Sequence, residues 1–314
     1  MTRAFVFPGQ GSQFVGMGKE LYDAFPAARN VFTRVDDALS EHLSHLIFHG
    51  PTDLLRETHN AQPALMTVSL AVAHVLEEEG GFLLAEKSAY GAGHSLGEYA
   101  ALAAFGALSL EETAHLLRLR GRAMKVAVQA GSGGMVAILG LDKPTVQKIV
   151  QEAEVEGVCA ISNDNCPGQL VVSGEKNALV VVERLAIEKG ARRIVPLDVS
   201  APFHCSLMES ARETMRGAFS SISMNDPVIP LISNVTAAPV SKKSAIVPLL
   251  IDQITHCVRW TESVQCMISL GVDHFIEIGA GRVLTGLIRR IASSVRISTL
   301  NTPQDIETFL KENS

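Results

Sequence analysis

The sequence predicts an α/β protein: a larger unit built on a mainly parallel sheet, carrying an inserted unit of ferredoxin-like, βαββαβ order. Three observations predict this. Short apolar strands alternate with stretches of helical periodicity at both ends of the chain. Two of those strands run directly into glycine-rich turns. Between residues 131 and 196 the texture changes to a compact strand, helix, strand, strand, helix, strand series.

In chain order, a strand over residues 4–7 enters the loop Gly9-Gln10-Gly11-Ser12-Gln13, a composition that brings backbone N–H groups close to a ligand. Helices are predicted over 19–25, 26–40 and 63–79; in the last, Leu65, Val68, Val72 and Leu76 recur at helical spacing. A strand over 88–92 enters Gly93-His94-Ser95-Leu96-Gly97, and an apolar helix follows over 98–105. The inserted series reads as strands 134–139, 158–162, 169–173 and 192–196 with helices 145–153 and 177–189. Beyond it, helix 206–219, strand 228–232, helices 246–256 and 261–270 and strand 274–278 restore the alternation. The expected division is therefore 1–130 with 200–314 as one discontinuous unit and 131–199 as the other.

Composition bounds the function. Of 314 residues 47% are hydrophobic and 19% charged, which supports a large core and excludes a disordered chain. The formal charge of −6 argues against general binding to nucleic acid or to an anionic membrane. The uncharged run 99–110 falls short of the roughly 18 apolar residues of a membrane helix. Pro8 and Gly9 cut the first apolar stretch too early for a secretory signal. Five cysteines without a CxxC pair favour reduced thiols, a cytoplasmic location and no metal site.

Gly93-His94-Ser95-Leu96-Gly97 fits GxSxG, in which a sharp strand-to-helix turn exposes the serine oxygen. Ser95 is thus the candidate nucleophile, and the N–H of Leu96 would face the developing oxyanion. A serine needs a base. His94 adjoins Ser95 along the chain and is expected to support the turn, while His42, His45, His49 and His115 sit in polar helical surroundings and read as surface residues. His204 lies in Ser200-Ala201-Pro202-Phe203-His204, a loop before a helix where the chain returns to the larger unit, and is the candidate base. Cys205 reads as a small buried thiol.

Residues 116–127 carry four cations. At about 100° per residue, Arg118, Arg122 and Lys125 share one side, whereas Arg120 lies roughly 200° from Arg118 beside Leu116, Leu117, Ala123 and Met124. A guanidinium in apolar surroundings demands an anion: either a distant acid in a salt bridge or a substrate carboxylate matched to its planar fork. Two cofactor readings fail. Phe14 replaces the third glycine of a GxGxxG pattern after Gly9 and Gly11, and Arg282 and Val283 follow Gly279-Ala280-Gly281 where a methyltransferase loop would place glycine.

Together Phe7-Pro8-Gly9-Gln10-Gly11-Ser12-Gln13, Gly93-His94-Ser95-Leu96-Gly97-Glu98, Arg120-Gly121, His204 and Gly279-Ala280-Gly281-Arg282-Val283-Leu284-Thr285 resemble the malonyl-CoA:acyl-carrier-protein transacylases of bacterial fatty acid synthesis. The resemblance is ordered, spans nearly the whole chain and departs where Ala280 replaces a frequent proline. It implies an α/β hydrolase-like larger domain with a ferredoxin-like subdomain. It implies Ser95 as nucleophile, His204 as its base, the N–H groups of Gln10 and Leu96 as oxyanion hole, and Arg120 as the ligand of the malonyl carboxylate. A main-chain carbonyl, here that of Gln253, would orient the histidine; Asn165, with Asn163 as the alternative, and Gln62 would line the cleft. Phe203 would crowd an α-methyl branch and so favour malonyl over methylmalonyl.

The implied reaction is ping-pong, with malonyl-CoA as donor, the phosphopantetheine thiol of acyl carrier protein as acceptor, no permanently bound cofactor and a monomeric enzyme. Because the carrier is acidic in that family and this chain is itself net negative, docking would need a local basic cluster. Lys189, Arg192 and Arg193, or Arg282, Arg289 and Arg290, are the candidates. The serine hydrolases are the main rival class, and a non-catalytic docking module is the second.

Overall fold

A computed structural model describes residues 2–129, 131–199 and 201–313. Ala130 and Ser200, at the ends of the expected division, lie outside the described residues.

The larger sheet contains β1 (Arg3–Phe7), β2 (Tyr90–Gly93), β7 (Leu231–Ile232), β8 (Pro239–Val240), β9 (His274–Ile278) and β10 (Arg296–Leu300), in the order β10-β9-β1-β2-β7-β8. All its pairings are parallel except that of β7 with β8. A central strand buried on both faces requires apolar residues at successive positions rather than in alternation. β1 meets this: Phe5 and Phe7 enter one core with Leu65, Val68 and Tyr99, while Ala4 and Val6 enter a second with Trp260, Phe275 and Leu284. Because β1 and β2 are parallel neighbours, the loops that leave them emerge side by side at the carboxyl ends of the strands, where open α/β sheets bind ligands.

The second sheet contains β3 (Gly133–Leu139), β4 (Cys159–Cys166), β5 (Gln169–Glu175) and β6 (Arg193–Pro196), antiparallel in the order β4-β5-β3-β6. Alternation along β3 assigns its two faces. Val136 and Ile138 pack with Val146, Ile149 and Val182 from the helices Lys143–Ala153 and Lys176–Glu188, whereas Met135 and Ala137 join the core of the larger unit. β4 is bound to the larger unit by two main-chain hydrogen bonds, Asp164 N–H to Val258 O (3.0 Å) and Val258 N–H to Ser162 O (2.9 Å).

Three expectations are corrected. The strand expected over 228–232 pairs only at Leu231–Ile232: Val228 is solvent-exposed and Pro230 has no N–H to give a ladder. β4 continues past residue 162 to Cys166, with register shifts that accommodate the extra residues. The helix expected from Pro63 begins at Thr58. Pro63 cannot donate to the carbonyl four residues earlier, and the Arg118 guanidinium takes that place, donating to His59 O (2.7 Å).

Candidate active site

Gly97 sits where a Cβ would lie 2.2 Å from Phe7 O, so the chain can turn sharply against β1 only without a side chain there. Ser95, at the apex, has φ 53°, the left-handed conformation of a strained turn. Asn234 clamps the turn: its Nδ2 donates to Gly93 O (2.7 Å) and its Oδ1 accepts from the Ser95 N–H (2.7 Å). His204 is likewise left-handed, with φ 60°.

These two backbones bring Ser95 Oγ within 2.8 Å of His204 Nε2, although 109 positions separate them. The Nδ1–H of His204 donates to the main-chain O of Gln253 (2.7 Å), which leaves Nε2 as the acceptor for the serine hydroxyl. Gln253 lies at the end of the helix Lys243–Gln253 and is fully buried. Burial first, and then the Arg120 charge, hold the His204 imidazole down to about 3, so it stands neutral at physiological pH.

Arg120 projects from the helix Leu110–Val126, whose start is fixed by a reciprocal capping box between Ser109 and Glu112. The next residue, Gly121, lets this helix approach the helix Thr58–His74 so closely that a Cβ would stand 2.4 Å from His59 Cα. Arg120 is 1% exposed. Its Nη1 donates to Gln62 Oε1 (2.7 Å), and its Nη2 to Ser95 Oγ (3.0 Å) and Gln253 Oε1 (2.8 Å). The guanidinium carbon lies 5.5 Å from the Tyr99 ring centroid. Among the described residues no carboxylate forms an ion pair with it, so the distant-acid alternative finds no support. The other three cations do pair: Arg118 and Arg122 with Glu41, and Lys125 with Glu57.

A cavity of about 320 Å³ opens onto this cluster, lined by Gln10, Gln62, Ser95, Leu96, Arg120, Asn163, Asn165, Phe203 and His204. Met135 and Val171, from the inner face of the antiparallel sheet, supply an apolar wall. Among the described residues neither the Gln10 N–H nor the Leu96 N–H donates a hydrogen bond, so both amides are free for a ligand. The Ser95 N–H, held by Asn234, is not. Asn165 Oδ1 meets His94 Nε2 at 2.9 Å, and His94 packs against Trp260 with ring centroids 5.7 Å apart. His94 therefore braces the turn, as expected, and lines the cavity as well. Asn163 lies alongside and accepts from Ser162 Oγ (3.0 Å). His42, His45, His49 and His115 are exposed, and Cys205 is a buried thiol pushed up to about 11.

Sequence reasoning missed Asn234 and Glu98. Asn234 carries no local signal. Glu98 does: it is the one acid at the head of an otherwise uncharged helix, directly after the serine turn.

With a parallel-sheet serine turn, a histidine dyad and a buried cation at one strand edge, the class is defined by comparison: the chain belongs to the acyl transferase domain family, whose model matches residues 4–304. Its relatives narrow this further. It is 44% identical to the malonyl CoA-acyl carrier protein transacylase of Bacillus subtilis (98% of this chain, 96% of the relative) and 39% identical to that of Escherichia coli K12 (98% of each). The fold is similar to the acyl-carrier-protein-S-malonyltransferase of Bartonella henselae, with a TM-score of 0.97, 50% identity and 99% of each chain covered. It is also similar to a malonyl-transacylase solved in complex with a type II PKS acyl-carrier protein, with a TM-score of 0.96, 37% identity and 100% of each chain covered.

Proposed function

We propose that this chain transfers the malonyl group of malonyl-CoA to the phosphopantetheine thiol of acyl carrier protein for fatty acid synthesis, through a malonyl-serine at Ser95. The observation that carries this is the convergence on Ser95 Oγ of His204 Nε2 and the Arg120 guanidinium, each within hydrogen-bond reach of it.

The neutral imidazole of His204 accepts the Ser95 proton as Oγ attacks the thioester carbonyl, and the oxyanion meets the free amides of Gln10 and Leu96. Collapse expels the coenzyme A thiolate, which takes the proton from His204. The carrier thiol then enters, gives its proton to His204 and attacks the acyl-serine, and the proton returns to Ser95. Arg120 holds the malonyl carboxylate by its planar fork, while an acetyl group leaves the cation without an acid. The carboxylate has a second effect: by offsetting the Arg120 charge that opposes imidazolium formation, it makes His204 a stronger base for the substrate that carries it. Phe203 crowds the α-carbon against a methyl branch, and Asn165 and Gln62 complete the cleft.

The finer architecture follows the same reading: an α/β hydrolase-like unit over 1–130 and 200–314 and a ferredoxin-like unit over 131–199. The order β4-β5-β3-β6 with both helices on one face supports it. Five free thiols support a cytoplasmic location; no helix among the described residues is long and apolar enough to cross a membrane. For carrier docking, Lys189, Arg192 and Arg193 are exposed and have no acidic partner among the described residues, as are Arg282 and Arg289, whereas Arg290 is engaged by Gln169 and Pro167 O. Arg282 adjoins Val283 at the cavity, which favours the second cluster.

Intact-mass spectrometry after exposure to malonyl-CoA tests the function. The protein should gain one malonyl group, release one coenzyme A and keep the label until a phosphopantetheine thiol is added. Continuous release of malonate without a thiol acceptor would make it a hydrolase, and absence of any label would make it a docking module.

A further inference from the structure

Glu98 lies three residues after the nucleophile and is 3% exposed. Its Oε2 accepts from Gln253 Nε2 (2.7 Å) and from the Asn234 N–H (3.2 Å). It has no ion-pair partner among the described residues, and one carboxamide separates it from Arg120.

That carboxamide has two distinguishable ends. Gln253 Nε2 faces three acceptors: Glu98 Oε2, Ser95 O (3.0 Å) and, more distantly, Asn234 Oδ1 (3.4 Å). Gln253 Oε1 faces one donor, Arg120 Nη2 (2.8 Å). Rotating the amide by half a turn would set its N–H₂ against a guanidinium N–H and its oxygen against those acceptors. Of the three acceptors Glu98 is the nearest and the only acid. We propose that Glu98 is a positioning residue for malonyl selection: it anchors the Gln253 carboxamide so that the amide oxygen faces Arg120 and fixes the plane of the guanidinium.

The indirect arrangement has a chemical purpose. A carboxylate bonded directly to Arg120 would compete with the acid of the substrate, whereas an amide spacer orients the cation and leaves its charge available. Burial pushes the Glu98 carboxyl up to about 7. The anchor survives either state, because a protonated carboxyl keeps a carbonyl oxygen that accepts. The proposal rests on the malonyl-transfer reading above.

The test compares single-turnover acylation by malonyl-CoA and acetyl-CoA in the wild type, Glu98→Ala, Glu98→Gln and Gln253→Leu, with circular-dichroism melts to establish folding. Glu98→Ala should lower kcat/KM for malonyl-CoA by about ten-fold or more and for acetyl-CoA by less than about three-fold. Glu98→Gln should restore the preference, because one carboxamide oxygen can take over both bonds made to Oε2. Gln253→Leu should lose the preference as Glu98→Ala does, and it decides the matter should Glu98→Ala fail to fold. An equal loss for both substrates in Glu98→Ala, a preference that survives Gln253→Leu, or a Glu98→Gln variant as impaired as Glu98→Ala would each overturn the proposal. A wild type that is never acylated would instead overturn the functional reading.

Discussion

Two faces of one helix, Leu110–Val126, place guanidinium groups out of water and treat them in opposite ways. On the outer face Arg118, 5% exposed, has its charge met by the chain itself: it donates to Glu41 (2.5 Å), to the carbonyl that Pro63 leaves free and to Asn60. On the inner face Arg120, as deeply buried, receives only neutral oxygens from Gln62, Ser95 and Gln253. A buried cation with its acid in place is structure. One that has oriented acceptors but no acid is a site whose counterion arrives from outside, and its desolvation is carried by the rest of the fold.

The largest expected effect lies where this inner face meets the chemistry. Ser95→Ala should abolish covalent labelling and lower turnover by on the order of 10⁴-fold or more, as read by intact mass and by coenzyme A release. Residual labelling at the wild-type rate would place the nucleophile elsewhere.

Stability should separate the two arginines next. Arg118→Met strands the His59 carbonyl and leaves Glu41 only its exposed partner Arg122, so it should cost about 1–3 kcal/mol in denaturant melts. Arg120→Met removes a desolvated charge and breaks no ion pair, which offsets the donors lost to Gln62 Oε1 and Gln253 Oε1, so it should cost less than Arg118→Met. Equal destabilisation by both would erase the distinction.

The pH profile sharpens it further. A base must be neutral to act, and His204 is held down to about 3 by burial and then by Arg120. The acid limb due to the base should therefore lie near pH 3, well below the position of an ordinary histidine near 6.5. Arg120→Met removes the larger of the two charge influences that depress His204, so the limb for acetyl-CoA should move toward higher pH. The smallest effect belongs to the solvated outer edge: Arg122→Ala and Lys125→Ala should change stability by less than about 0.5 kcal/mol and leave acylation intact.

Much of the site was legible because its chemistry is written in local pattern. GxSxG between a strand and a helix marked Ser95, and helical angle alone separated Arg120 from Arg118. His204 was readable from a loop at the return to the larger unit. What escaped depends on approach between distant segments. Asn234 braces the serine turn across 139 positions and Glu98 reaches Gln253 across 155, distances over which spacing carries no information. Pro63 resembled a helix start, since proline suits that position, yet a guanidinium from another helix satisfied the carbonyl and the helix ran back to Thr58. The edge strand Arg296–Leu300 and the last helix, Pro303–Asn313, went unread because the partly exposed residues of β10 weaken the apolar run that marks a buried strand.

The most direct test of the central claim is the ratio of kcat/KM for malonyl-CoA to that for acetyl-CoA, measured side by side in the wild type, Arg118→Met and Arg120→Met. The ratio should collapse by about 100-fold in Arg120→Met, through loss of a charge-assisted carboxylate contact, and hold in Arg118→Met. A preference for malonyl that survives removal of Arg120, or that falls equally with either arginine, would contradict the account.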